Sequence, residues 1–202
     1  MSTQTSCNWY SYFHKYDIGA GTGSLISSSM SPVPRGYGSN TMVIYNDEVF
    51  YVQTSYIYRV GLGGGSASYF GNSPRGYRIE SMFVVGTKLY INTYCDGYVY
   101  DLDTGTMEGY TNTYPQCRYN FVCNAVMEDK WLVFGGEDNY AAVLKVDKDT
   151  FSNQAWQSAG ALTYGVERHS CQPWLHYVYQ FGGYVRGLGS YSTTVMIYSY
   201  VN

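Results

Sequence analysis

Apolar and polar positions alternate along this chain over short runs, and the runs are broken by Gly, Asn and Asp. Alternation at a period of two predicts β-strands with one buried face. No stretch holds apolar residues at a 3.6-residue period between helix caps, so essentially no helix is expected. The strands fall into four units of the same order. A first strand covers Thr41–Tyr45, Ser81–Val85, Val122–Met127 and Cys171–Leu175, and a turn follows with Asn46-Asp47, Gly86-Thr87, Glu128-Asp129 or His176. Asn, Asp and Gly suit the left-handed backbone of two-residue hairpins. The second strand is the most apolar: Val49-Phe50-Tyr51-Val52, Leu89-Tyr90-Ile91, Trp131-Leu132-Val133-Phe134 and Val178-Tyr179-Gln180-Phe181. A third strand covers Tyr56–Val60, Tyr98–Leu102, Ala142–Val146 and Val195–Tyr200, and a short fourth carries Tyr69-Phe70, Tyr110 or Trp156. With Gln53, Asn92, Gly135 and Gly182 as equivalents, the units step by 39, 43 and 47 residues.

Repeats of this length with four strands each predict an all-β chain, a β-propeller of about four four-stranded antiparallel blades. One domain covers residues 1–202, with blades at approximately 34–73, 74–114, 115–160 and 161–202. The N-terminal strands, within 7–33, are expected to complete the last blade. Trp9–Ile18 resembles a third strand and Leu25–Met30 a fourth, while the last unit stops after its third strand. Pairing of Leu25–Met30 with that unit would seal the ring and remove an unpaired edge. The alternative is a portion of a larger ring, completed by another copy or another chain.

Composition narrows the function. The chain has 202 residues, with 13% charged and 18% aromatic, including 25 Tyr; that is about half the usual charged share of ~25%. With 12 basic residues, none in a run, and a net charge of −3, nucleic-acid binding by phosphate neutralisation is not expected. Apolar runs are strand-sized, too short for a membrane helix, so no membrane insertion is expected. The N-terminus has no basic-then-apolar signal. Five cysteines, Cys7, Cys95, Cys117, Cys123 and Cys171, show no zinc spacing. They read as reduced thiols, which fits a cytoplasmic protein; the Tyr, Ser, Gly and Thr richness would also suit an extracellular one whose signal had been removed.

The third unit, Arg118 with Trp131-Leu-Val-Phe-Gly-Gly136, Val143–Thr150 and Trp156, resembles a kelch repeat. So does the fourth, Arg168-His169-Ser170, Tyr179-Gln-Phe-Gly-Gly183 and Ile197-Tyr198. The first two units depart, with Gln53-Thr54 and Asn92-Thr93 in place of Gly-Gly. Asp96–Gly105 also resembles the repeats of quinoprotein-type propellers. The kelch resemblance implies that Arg35, Arg75, Arg118 and Arg168 are structural, tying neighbouring blades through backbone carbonyls. The other reading is a ring of guanidiniums around an anion.

Other candidate chemistry is sparse. Gly135-Gly136 and Gly182-Gly183 lack the helix and Lys-Ser/Thr of a phosphate loop, so they read as close-packing positions. His14, His169 and His176 stand apart, and no metal or cofactor is expected. Asp101, Asp103, Asp147 and Asp149 read as turn residues after the third strand, and no nucleophile–base set has context, so the protein is not expected to be an enzyme. The loops after the second strands carry Tyr94, Asp96, Glu137, Asp138, Tyr140, Tyr184, Arg186 and Tyr191. The loops before the first strands carry Tyr37, Tyr77, Arg78, Tyr119, Asn120 and His169. In a propeller both sets emerge on one face, and Tyr and Arg are favoured in binding hot spots. The expected function is a protein- or peptide-binding scaffold. The alternatives are a carbohydrate-binding or carbohydrate-processing propeller with a glycan partner, and a structural subunit that forms a homo-oligomer.

Overall fold

A computed structural model of the chain describes residues 13–27, 41–112, 123–135, 142–185, 188–193 and 195–199. Their regular elements are antiparallel strands. A hairpin of β1 (Phe13–Asp17) and β2 (Thr22–Ser27) stands first. The first four-stranded sheet holds β3 (Met42–Tyr45), β4 (Glu48–Gln53), β5 (Tyr56–Gly61) and β6 (Ser68–Asn72). The second holds β7 (Ile79–Val85), β8 (Lys88–Thr93), β9 (Gly97–Asp101) and β10 (Met107–Tyr110). The third holds β11 (Cys123–Met127), β12 (Lys130–Phe134), β13 (Ala142–Asp147) and β14 (Gln157–Ala161). The last has three strands, β15 (Ser170–Trp174), β16 (Tyr177–Phe181) and β19 (Val195–Ser199); between the last two lies a small hairpin, β17 (Tyr184–Val185) and β18 (Ser190–Tyr191). The loop after the second strand of the last unit, which carries Tyr184 and Tyr191, thus builds a hairpin of its own.

Turn chemistry sets the register. Asn46 and Asp47 both have positive φ, 45° and 59°, as a tight right-twisted hairpin requires. The pairs flanking the four first turns are Tyr45↔Glu48, Val85↔Lys88, Met127↔Lys130 and Trp174↔Tyr177. The units therefore step by 40, 42 and 47 residues from Tyr45 to Val85, Met127 and Trp174. This corrects the spacing read from sequence: Thr93, not Asn92, is the equivalent of Gln53, Gly135 and Gly182. A one-residue slip in a strand reverses every side chain, so the correction decides which faces pack together.

With this register all four sheets stack in the same sense. Phe50 and Val52 of the first sheet pack on Met82, Leu89 and Ile91 of the second. On the other side of the second sheet, Tyr90 and Val99 pack on Trp131 and Val133 of the third. Leu132 and Phe134 then pack on Cys171 and Val178 of the last. The first strands β3, β7, β11 and β15 lie against one another in succession. Packing on both faces explains why β8 and β12 read as unbroken apolar runs. Each fully buried Leu, Val or Phe there contributes roughly 1.5–3 kcal/mol.

A tyrosine on the third strand fastens a sheet to the outer strand of the sheet before it. The Tyr100 hydroxyl donates to the Asn72 carbonyl at 3.0 Å, passing over Gly71, where a Cβ would meet the ring at 2.9 Å. Tyr198 repeats the device, donating to the Ala159 carbonyl beside Gly160. Trp156, before β14, donates its indole N–H to Thr111 Oγ1 at 2.9 Å and joins the outer parts of the second and third sheets.

Cys95, Cys123 and Cys171 are not the reduced thiols expected from sequence. Cys123 and Cys171 form a disulfide with Cα atoms 6.0 Å apart, and Cys95 is disulfide-bonded to a partner outside the described residues. The physical reason is stacking: β11 and β15 are neighbouring first strands, which brings their opening residues together. At the other end of the chain, β2 pairs with β1 alone, and the described part of Leu25–Met30 forms no ladder with β19.

Candidate binding surfaces at the loop ends

In each sheet the loop entering the first strand and the loop leaving the second lie at the same end. In the second sheet these loops meet. Tyr77 and Tyr94 pack edge to face with centroids 6.2 Å apart, both half-buried, and the Tyr94 amide donates to the Arg78 carbonyl at 3.1 Å. Arg78 Nε donates to Glu80 at 2.6 Å, and Glu80 is fully buried. Arg75 forms an ion pair with Asp96 at 3.1 Å and lies over the Tyr110 ring at 5.2 Å. Thr93 Oγ1 donates to the Asp96 side chain and accepts its backbone N–H at 3.1 Å. Burial raises the Asp96 carboxyl above its ordinary range, while Thr93 and Arg75 pull it down. The result is an aromatic pair beside two charge-assisted ion pairs whose carboxylates are buried, which hold side chains in one geometry.

The last sheet presents a second aromatic pair. Tyr184 and Tyr191 of the small hairpin lie 5.2 Å apart, and Glu167 and Tyr184 exchange backbone hydrogen bonds at 3.1 and 2.8 Å. His169 does not join this surface. It is buried at 1% exposure, with no hydrogen-bond partner for either ring nitrogen among the described residues, and burial lowers its pKa to about 4. Gly135 and Gly183, both at positive φ, make room for it: a Cβ on Gly135 would fall on His169 Cε1 and on the Val166 carbonyl, and one on Gly183 would lie 2.9 Å from His169 Cβ. The close packing expected of these glycines thus accommodates the segment Val166–His169. Gly182 also has positive φ, and Arg168 is exposed.

Several predicted residues lie outside the described ones: Tyr37, Tyr119, Asn120, Glu137, Asp138, Tyr140 and Arg186 of the binding set, and Arg35, Arg118 and Gly136 of the repeat set. Asp101 and Asp147 sit at the turns after the third strands. Asp101 accepts the Thr104 N–H at 2.8 Å, and Asp147 those of Asp149 and Thr150 at 3.0 Å each. No group of three His, Cys, Asp or Glu side chains suited to a metal occurs among the described residues.

Two adjoining cavities were not anticipated. One, of ≈ 340 Å³, runs between residues 161–164 and residues 195–198 of β19. The other, of ≈ 300 Å³, continues it beneath Leu188 and Tyr191, sharing Tyr164 and Met196. Comparison of the chain with protein-family models and with curated proteins found no match.

Proposed function

We propose that the four sheets are blades of a kelch-like β-propeller, and that the protein is a non-enzymatic scaffold that binds a protein or peptide through its Tyr/Arg loop ends. The observation that carries this reading is the Tyr77–Tyr94 pair, half-exposed and set beside the Arg78–Glu80 and Arg75–Asp96 ion pairs, whose carboxylates are buried. Anchored aromatics offer large contact area at little further entropy cost, the property that concentrates binding energy in a few residues. The stacking of sheets in one sense, with first strands in succession, supports the propeller.

The test is selection of a displayed random-peptide library on the immobilised protein. Peptides should be enriched whose affinity falls at least about tenfold in Tyr77→Ala/Tyr94→Ala, the loss of one hot-spot contact, with little change in Tm. Failure to enrich, or peptides that bind the double variant equally well, would refute the reading.

A further inference from the structure

Phe50 and Val52 of the first sheet, Tyr90 of the second, and Leu132 and Phe134 of the third lie against the sheet that follows. Tyr179 and Phe181 are their equivalents on the last sheet. Phe134 is 0% exposed, but Phe181 is 47% exposed. The same face carries Trp174 and Tyr177, 65% and 41% exposed, and Val195 and Ile197, 47% and 61% exposed. With aromatic side chains of about 150–250 Å², these residues present roughly 500–600 Å² of largely apolar surface. That is the upper end of the roughly 300–600 Å² patches found on a typical monomer, and patches of this size are commonly interaction sites.

Three observations bear on what covers this face. The first sheet of the same chain is not joined to it, since β3 and β15 do not lie against one another as β3 and β7, β7 and β11, and β11 and β15 do. The first sheet of a second copy is a poor counterpart. On its outward face Val49 is 2% and Tyr51 0% exposed, so the centre of that face is already buried within its own chain. The face of the last sheet, in contrast, suits a copy of itself. Its polar residues are Ser170, Gln172 and Ser199, and it has no charged one. Two such faces meet with no like charges opposed and no ion stripped of water. We infer that this face is a dimer interface, in which the last sheets of two copies of this chain pack face to face about a twofold axis. Each copy gives the same patch, so association stops at two. Sheets packed this way lie about 10 Å apart with their side chains interdigitated. The polar residues at the rim bring the covered area toward the roughly 800 Å² per partner of a stable interface. The dimer goes beyond the peptide-binding reading and does not rest on it, because Tyr77 and Tyr94 belong to the second sheet.

Sedimentation equilibrium of the full chain over about 1–100 μM measures the association. The mass should rise reversibly to that of two chains and no further. Ile197→Asp places one carboxylate from each copy in the interface and should weaken the dimer at least about tenfold. Trp174→Ser, on a different strand, should do the same, which separates loss of the interface from local damage to β19. Ile44→Asp is the control. Ile44 is also 61% exposed but lies on the outward face of the first sheet, so this variant should dimerise as the wild type does. Tyr77→Ala/Tyr94→Ala should likewise keep the mass at two chains, so failure of the loop surface and failure of the dimer give different patterns. A wild-type chain that stays monomeric throughout would overturn the inference. So would a dimer that survives both Ile197→Asp and Trp174→Ser, an equal loss in Ile44→Asp, or growth beyond two chains, since the last two outcomes are those of a head-to-tail contact.

Discussion

Removal of the Cys123–Cys171 bridge tests whether the sheets are stacked as described. The two cysteines are 48 residues apart in sequence, both are buried, and they join β11 to β15 across the interface of the third and last sheets. In the chain-entropy account, opening a loop of that length costs about 4 kcal/mol at 25 °C. A chain of 202 residues unfolds with an entropy of roughly 0.4 kcal/mol/K. The double variant Cys123→Ala/Cys171→Ala should therefore melt about 10 °C lower by calorimetry, the Cys95 disulfide being left in place. Either single variant already opens the bridge, so the double variant should lose little more than each single one, a marked non-additivity. The loss should also be local. Hydrogen exchange should accelerate in β15, β16 and β19 before it does in β3–β10, since only the last sheet loses its covalent tie. A fall of less than about 2 °C, or ready alkylation of both thiols in the unreduced native protein, would refute the stacking of β11 on β15.

Three further outcomes follow from single residues. His169 is held neutral by burial, with its pKa lowered from 6.5 to about 4. The unfolded chain takes up its proton first as pH falls, so the stability is complete above pH 6.5 and is lost toward pH 4, about 3 kcal/mol in all; urea unfolding of His169→Gln should show a flatter pH dependence over that window, and an unchanged slope would contradict it. Gly135→Ala should destabilise by about 2–4 kcal/mol, because a positive φ and a blocked Cβ act together, whereas Gly189→Ala, with positive φ and open space, should lose only about 1 kcal/mol; equal losses in thermal melts would refute the steric account. Leu175 is exposed at φ 54° in a hairpin turn, so Leu175→Gly should gain about 1 kcal/mol, and a lower Tm would show that its side chain matters in some other way.

Much of the fold was legible because hairpins and buried strands write local signals. Asn46-Asp47 marks a turn that only a few backbone shapes allow, and the run from Trp131 to Phe134 marks a strand packed on both faces. The step between units was misread by one residue in the second unit, because Asn92 and Thr93 both stand where a strand opens into a loop. Loop ends tolerate insertions, whereas a two-residue turn fixes the residues flanking it. The disulfide left no local trace: 48 residues separate its cysteines, and only the stacking of equivalent strands brings them together. For the site, sequence chose Tyr77, Arg78, Tyr94 and Asp96 by residue type and loop position; the first three meet, while Asp96 pairs with Arg75. It also chose His169, where the polar residue serves the interior, because type alone does not distinguish a loop tip from a strand entrance.

The corrected register also fixes what the last sheet shows to solvent. Tyr179 and Phe181 stand in the positions that, as Leu132 and Phe134, are buried between the third and last sheets. The same face carries Tyr177 of β16, Trp174 of β15, and Val195 and Ile197 of β19, with Trp174 65% and Ile197 61% exposed. Ser170, Gln172 and Ser199 supply the polarity of that face, and none of its residues is charged. Natural edge strands are usually protected by Lys, by Pro or by a covering element, because an open edge beside an apolar face recruits other chains. Among the described residues this apolar face is exposed, whereas the equivalent faces of the first three sheets are each covered by the sheet that follows.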